Sequence, residues 1–184
     1  PFTNEPLMRR VINASLYSGT ADDARRLAGL AMNEQLNEDV RAEALLTLAG
    51  WESPSLFDRV TGMYRGEISN RAEDAVDALG PVVDQLLREG EPQVQIAAAE
   101  AAGGLGLTEA VPVLTDLMES SRDVEVRTAA LFALAEADAA SVDEHVYRAL
   151  QSDEPEVRRQ ALVLIPELDL DDETRADLLA AALD

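Results

Sequence analysis

The chain of 184 residues contains no cysteine, no lysine and a single histidine, and only seven of its residues are aromatic. Without cysteine there is no disulfide, no thiolate zinc site and no thiol nucleophile, and the redox compartment stays open. With His145 alone, a multi-histidine metal site cannot form within one chain. No uninterrupted apolar run approaches the roughly 20 residues needed to cross a bilayer, so membrane insertion is not expected. The opening Pro1-Phe2-Thr3-Asn4 does not read as a signal peptide, which leaves room for one lost upstream.

Positive charge is scarce as well. Against 36 acidic residues stand 15 basic ones, all arginine, for a formal charge of −21. A field of that sign repels phosphate backbones, so a nucleic-acid partner is not expected. Carboxylates spread along the whole chain read as a solvated surface, and the sharper alternative is attraction of a basic protein partner. The shortage of aromatics beside 47% hydrophobic residues, mostly Ala and Leu, suits close-packed helices and not a β-sandwich.

What the chain has in abundance is one segment. Glu154-Pro155-Glu156-Val157-Arg158-Arg159-Gln160-Ala161-Leu162 is echoed by Asp123 to Leu131, Glu91 to Ala99, Asn37 to Leu45 and Glu5 to Asn13. Measured at the valine or its Met8 counterpart, the steps are 32 (Met8 to Val40), 54 (Val40 to Val94), 32 (Val94 to Val126) and 31 (Val126 to Val157). A period just above thirty predicts a helical solenoid in which each repeat is a helix pair, A then B. The segment opens the B helix: Pro6, Pro92 and Pro155 sit where a first helical residue needs no amide hydrogen bond. Val40, Ala44, Leu45 and Leu48, with their counterparts after Val94, Val126 and Val157, form one apolar helical stripe. The A helices are expected near Ala24 to Ala31, from Pro81 to Leu87, from Pro112 to Met118, and at Val142 to Leu150. The chain opens on a B helix around Pro6 to Leu16 and closes on an A-like helix around Glu173 to Leu183. Because a solenoid needs polar capping repeats at its ends, residues 1–184 are expected to form one array excerpted from a longer polypeptide.

The step of 54 places some 22 additional residues at about 51–70. Trp51, Phe57 and Tyr64 fall here, with Arg59 and Arg65 among them. Insertions into repeats map to loops on one face and often to binding. Two readings stand: a flap folded back with its aromatics buried, or a docking site for another domain.

The Pro-Glu-Val-Arg opening at Pro155, the alanine-rich B helices and the period of 31 to 32 resemble HEAT-like repeats of the short bacterial variety. The resemblance implies an all-α fold, a right-handed α-α superhelix of about four to five repeats. A narrower likeness rests on Arg10 to Leu16, Gly19-Thr20, Arg41 to Leu45, Leu48 to Trp51, Pro54, Asp58 to Gly62 and Arg65. These resemble the HEAT region of secreted bacterial proteins that join a sorbosone- or glucose-dehydrogenase-like propeller to HEAT repeats and a c-type cytochrome. In such a protein a PQQ-type cofactor and a haem would belong to the flanking modules. This chain has no Cys-x-x-Cys-His and no β-rich propeller sequence, so no redox residue carries over. The resemblance implies a non-catalytic scaffold, itself without cofactor, in an exported, periplasmic or extracellular protein. A second reading is an enzyme, because some HEAT-like proteins are bilin lyases; others are alkylpurine DNA glycosylases, whose basic groove the charge of −21 argues against.

The individual chemical candidates are weak. His145 in Asp143-Glu144-His145-Val146-Tyr147 is expected at a surface helix position. Ser53, Ser55 and Ser69 have no base at any readable motif spacing. Gly103-Gly104-Leu105-Gly106 follows a helix and lacks the Gly-Lys-Ser/Thr ending of a phosphate loop, so it reads as a helix terminator. Asp169, Asp171, Asp172 and Glu173 lack the EF-hand glycine and distal glutamate and read as a cap for the final helix. Arg9, Arg41, Arg127 and Arg158, interrupted by Gln95, form one row that reads as a ladder between repeats. The partner-facing positions are three and six residues beyond each valine: Glu43 and Leu46, Ala97 and Glu100, Ala129 and Phe132, Gln160 and Val163. Leu46, Phe132 and Val163 would line a groove for a peptide or neighbouring domain.

Overall fold

Side-chain caps start many of the helices. Asn4, Thr20, Asn37, Asp123 and Asp171 each accept a hydrogen bond from a backbone N–H two or three residues on, at 2.8 to 3.2 Å. Pro6, Pro92 and Pro155 open α1, α5 and α9 within their first two positions. The computed structural model describes residues 4–58 and 60–182, which contain ten α-helices. They are α1 (Glu5–Ser18), α2 (Ala21–Ala31), α3 (Glu38–Ala49), α4 (Ala72–Glu89), α5 (Pro92–Gly104), α6 (Val111–Ser120), α7 (Val124–Ala137), α8 (Val142–Leu150), α9 (Pro155–Leu164) and α10 (Asp172–Ala181).

The helices form two layers. The B helices α1, α3, α5, α7 and α9 stack side by side, and α2, α4, α6, α8 and α10 stack behind them as the A layer. The repeated valines are the hinge pins of the stack: Val40, Val94, Val126 and Val157 are all buried between the layers. Around them Leu27, Leu45, Leu48, Leu79, Leu87, Leu114, Leu131 and Leu134 make a continuous apolar core, as expected where each repeat buries its face on its neighbours.

Small residues let the B helices come closest. Ala97, Ala98, Ala99, Ala101 and Ala102 of α5 are buried, and Gly103 lies so near α7 that an added Cβ would stand 2.8 Å from the Ala133 Cα. The A helices α4, α6 and α8 touch one another far less. This tighter spacing bends the array toward the B layer, so the outer face of that layer is concave.

Two expectations change here, at Pro81 and His145. Pro81 does not begin its A helix: α4 runs through it from Ala72. Proline inside a helix sacrifices a backbone hydrogen bond, but Ala75, Ala78, Leu79, Val83, Leu86 and Leu87 share one buried stripe across it. The segment Gly103-Gly104-Leu105-Gly106 ends α5 as expected: the last helical residue is Gly104, and Gly106, with φ of 64°, allows Leu107 N–H to reach back to the Ala102 carbonyl at 2.9 Å. His145 is buried, not superficial. Its Nε2 lies 3.1 Å from Asp138 Oδ2 at the α7–α8 junction.

Candidate protein-binding surfaces

The concave face carries a groove of about 600 Å³ lined by residues of α5, α7 and α9 only. Ile96, Val124, Ala129 and Phe132 supply apolar walls, and Glu100, Glu125 and Glu156 supply carboxylates. Phe132 is 37% exposed, although its neighbours Leu131 and Ala133 are buried. Gln160 and the Thr128 hydroxyl complete the lining, and the Thr128 oxygen is buried with no hydrogen-bond partner among the described residues. Glu156 is held well below the usual carboxylate range, at about 2, first by hydrogen bonds from Arg159 and then by Gln160.

Four predicted positions meet in this groove: Glu100, Ala129, Phe132 and Gln160. Leu46 and Val163 are exposed on B helices α3 and α9 but do not line it. Ala97 is buried and belongs to the core. The positions one before and two after each valine escaped the reading, yet they give Glu125, Thr128, Glu156 and Ile96. At 3.6 residues per turn these offsets share the helical face of the offsets three and six, so a full helical wheel would have found them.

The inserted segment between α3 and α4 is a second surface, and it splits the two readings between its aromatics. Trp51 is 0% exposed and packs in the core, so it is unavailable to a partner; an indole this large gains more from burial than from display. Phe57 and Tyr64 are 56% and 65% exposed. They face one another across a short antiparallel bridge with ring centroids 5.7 Å apart. Leu56, Val60 and Met63 extend the exposed apolar surface around them. Arg59 lies outside the described residues.

This hairpin is pinned from below. Asn70 is buried at the base of the insertion and donates to the Leu16 and Trp51 carbonyls, both at 2.9 Å. Tyr17 reaches from α1 to the Ser55 and Phe57 carbonyls at 3.1 and 3.0 Å. The Asp58 carboxylate is almost wholly enclosed and accepts from Thr61 N–H at 2.8 Å, Arg65 Nη2 at 2.7 Å, Asn13 Nδ2 at 3.2 Å and Val60 N–H at 2.9 Å. These donors, led by Thr61 N–H and Arg65, hold Asp58 far below its ordinary range against the opposing effect of burial. Arg65 also covers the Tyr17 ring at 5.5 Å. Arg65, proposed as a contact residue, is thus first a strut that fixes Phe57 and Tyr64 in place.

The arginine row is a ladder. Arg41 donates to the Ala31 carbonyl at 2.8 Å, Gln95 to Leu87 at 2.6 Å and Arg127 to Met118 at 2.9 Å. Each therefore caps the last turn of the A helix before it, and the two arginines also bring positive charge to the negative end of the helix dipole, which the neutral Gln95 amide does not. Arg158 bonds the Ser152 carbonyl at 2.6 Å, just past α8, and Arg9 pairs forward with Glu43. Asp171 caps α10 as read, and among the described residues no group of three or more His, Cys, Asp or Glu could hold a metal ion. No described helix is long and apolar enough to cross a membrane.

A two-layer array of helix pairs with an exposed concave groove defines a repeat scaffold. Residues 79–165 match the family model for HEAT repeats. The crystal structure of an engineered protein from a structural genomics consortium superposes with a TM-score of 0.52 at 22% identity, covering 88% of this chain and 78% of that one. A designed armadillo repeat protein in complex with the peptide (KR)4 superposes with a TM-score of 0.54 at 18% identity, covering 96% of this chain and 80% of that one. A search of the curated proteins finds no match to this chain. Residues 79–165 are thus similar to HEAT repeats, and the chain as a whole folds as an α-α superhelix.

Proposed function

We propose that this chain is a non-catalytic protein-interaction scaffold, using the concave groove around Phe132 and the Phe57/Tyr64 hairpin to hold a neighbouring domain or a partner protein. The observation that carries the reading is Phe132, a large apolar side chain left open in a groove built by three successive B helices. Exposed aromatics in concave, polar-rimmed sites are typical anchors of protein interfaces. The designed armadillo repeat neighbour is bound to a peptide, which supports the same use of this fold.

The parent polypeptide in this reading is an exported, periplasmic or extracellular dehydrogenase-like protein, and the support is the likeness over Arg10 to Arg65. The segment then orients a propeller and a haem module without taking part in their chemistry. The test is calorimetric titration of the chain with the other domains of its full open reading frame. Phe132→Asp combined with Tyr64→Ala should weaken the contact at least tenfold; unchanged affinity overturns the assignment.

A further inference from the structure

Resting on the scaffold reading, we infer that the occupant of the concave groove is an extended segment bearing arginine or lysine. Most arginines of this chain are already engaged with carboxylates or carbonyls: Arg9 with Glu43, Arg41 with Glu91, Arg127 with Asp153, Arg159 with Glu156. Glu100 on α5 and Glu125 on α7, both lining the groove, meet no arginine at ion-pair distance among the described residues. Two uncompensated carboxylates beside an open Phe132 ring make a site for a cation with an apolar stem. The charged head would pair with Glu100 or Glu125 while the stem lies on Ile96, Val124 and the face of Phe132.

The groove also runs across three helices. With neighbouring axes roughly 8–10 Å apart, it matches an extended segment of about three residues per helix better than a compact ligand. The overall charge of −21 would speed the encounter with such a cationic segment.

A −21 protein attracts any polycation, so the test must separate the groove from diffuse charge. The probe is a fluorescein-labelled octapeptide of alternating arginine and alanine, followed by anisotropy, beside glutamine–alanine and glutamate–alanine peptides of equal length. The arginine peptide should bind, and Glu100→Gln with Glu125→Gln should weaken it about tenfold. Phe132→Ala should weaken it comparably. Asp143→Asn with Asp177→Asn removes the same charge from α8 and α10 of the A layer and should change affinity less than twofold. Equal losses in the two pairs, or no binding of the arginine peptide at low salt, would overturn the inference. Tighter binding of the neutral peptide, lost in Phe132→Ala, would overturn the cationic chemistry while leaving the groove as a docking surface. The domain titration above decides the scaffold reading by itself.

Discussion

Arg127 on α7 and Asp153, in the turn before α9, are joined by a 2.9 Å ion pair that ties one repeat to the next. The same guanidinium caps α6 through the Met118 carbonyl and bonds Ser152 Oγ at 2.8 Å, so one side chain holds three consecutive helices. Arg127 is buried, and removing it strands a carbonyl. Arg127→Ala should therefore lower stability by about 3 kcal/mol in urea unfolding. Arg127→Lys should recover less than half of that, because an ammonium lacks the planar fork that serves several acceptors at once. A lysine variant as stable as the native chain would show that the fork is unimportant.

The Arg127 hydrogen bond and charge also hold the Asp153 carboxyl below its ordinary range. A value depressed in the folded state gives stability that is present above the unfolded value and is lost as pH falls through the folded one. The stability difference between the native chain and Asp153→Asn should thus be constant around neutrality. It should shrink only below about pH 3.9, the ordinary value for aspartate. Urea midpoints measured from pH 7 down to pH 3 check this, and a difference that fades already near pH 6 would contradict it.

Gly103 and Gly104 stand side by side yet should respond in opposite directions. A Cβ at Gly103 would press on the Ala133 Cα at 2.8 Å, whereas one at Gly104 would meet nothing within 4 Å. Gly103→Ala has to part α5 from α7 and should cost about 1–3 kcal/mol. Gly104→Ala should add roughly 0.5 kcal/mol by restricting the unfolded chain. Equal melting temperatures for the two variants would mean that close B-helix approach is not what the glycine serves.

The repeat was legible because burial repeats with it: Val40, Val94, Val126 and Val157 sit in equivalent core positions, and a fixed step reveals them without any structural knowledge. The arginine ladder was legible for the same reason. The upstream half of α4 was hidden behind Pro81, a residue whose local preference says helix start while the stripe from Ala75 to Leu87 says continuation. Burial won, as it does when a single lost hydrogen bond competes with several apolar side chains. The groove was only half legible, since two of its three carboxylates, Glu125 and Glu156, came from a helical offset that a count of two positions per repeat passes over. Trp51, Phe57 and Tyr64 were indistinguishable by type; what divides them is Asn70 and Asp58, whose pairing partners lie up to 54 residues away.

Trp51 and Tyr64 provide the direct test of that division. Trp51→Ala empties a fully buried position and should cost about 3–5 kcal/mol. Tyr64→Ala removes a 65% exposed ring and should stay within about 0.5 kcal/mol. Thermal melts of the two variants decide it, and a large loss for Tyr64→Ala would mean that the hairpin belongs to the core.

The Asp58 clasp makes the hairpin a fixed platform and not a loose loop. Asp58→Asn keeps the shape but removes the charge that gathers Thr61 N–H, Arg65, Asn13 and Val60 N–H. Hydrogen exchange at residues 56–65 should then accelerate at least tenfold, while α5 and α7 remain protected, because local opening draws on local contacts. Since the carboxyl is held far below its ordinary range, the clasp contributes stability above the unfolded value and releases only in strong acid. The native hairpin should therefore stay protected from pH 7 to pH 4. Loosening within that window, or unaltered exchange in Asp58→Asn, would show that the Asn70 and Tyr17 bonds alone hold Phe57 and Tyr64 in place.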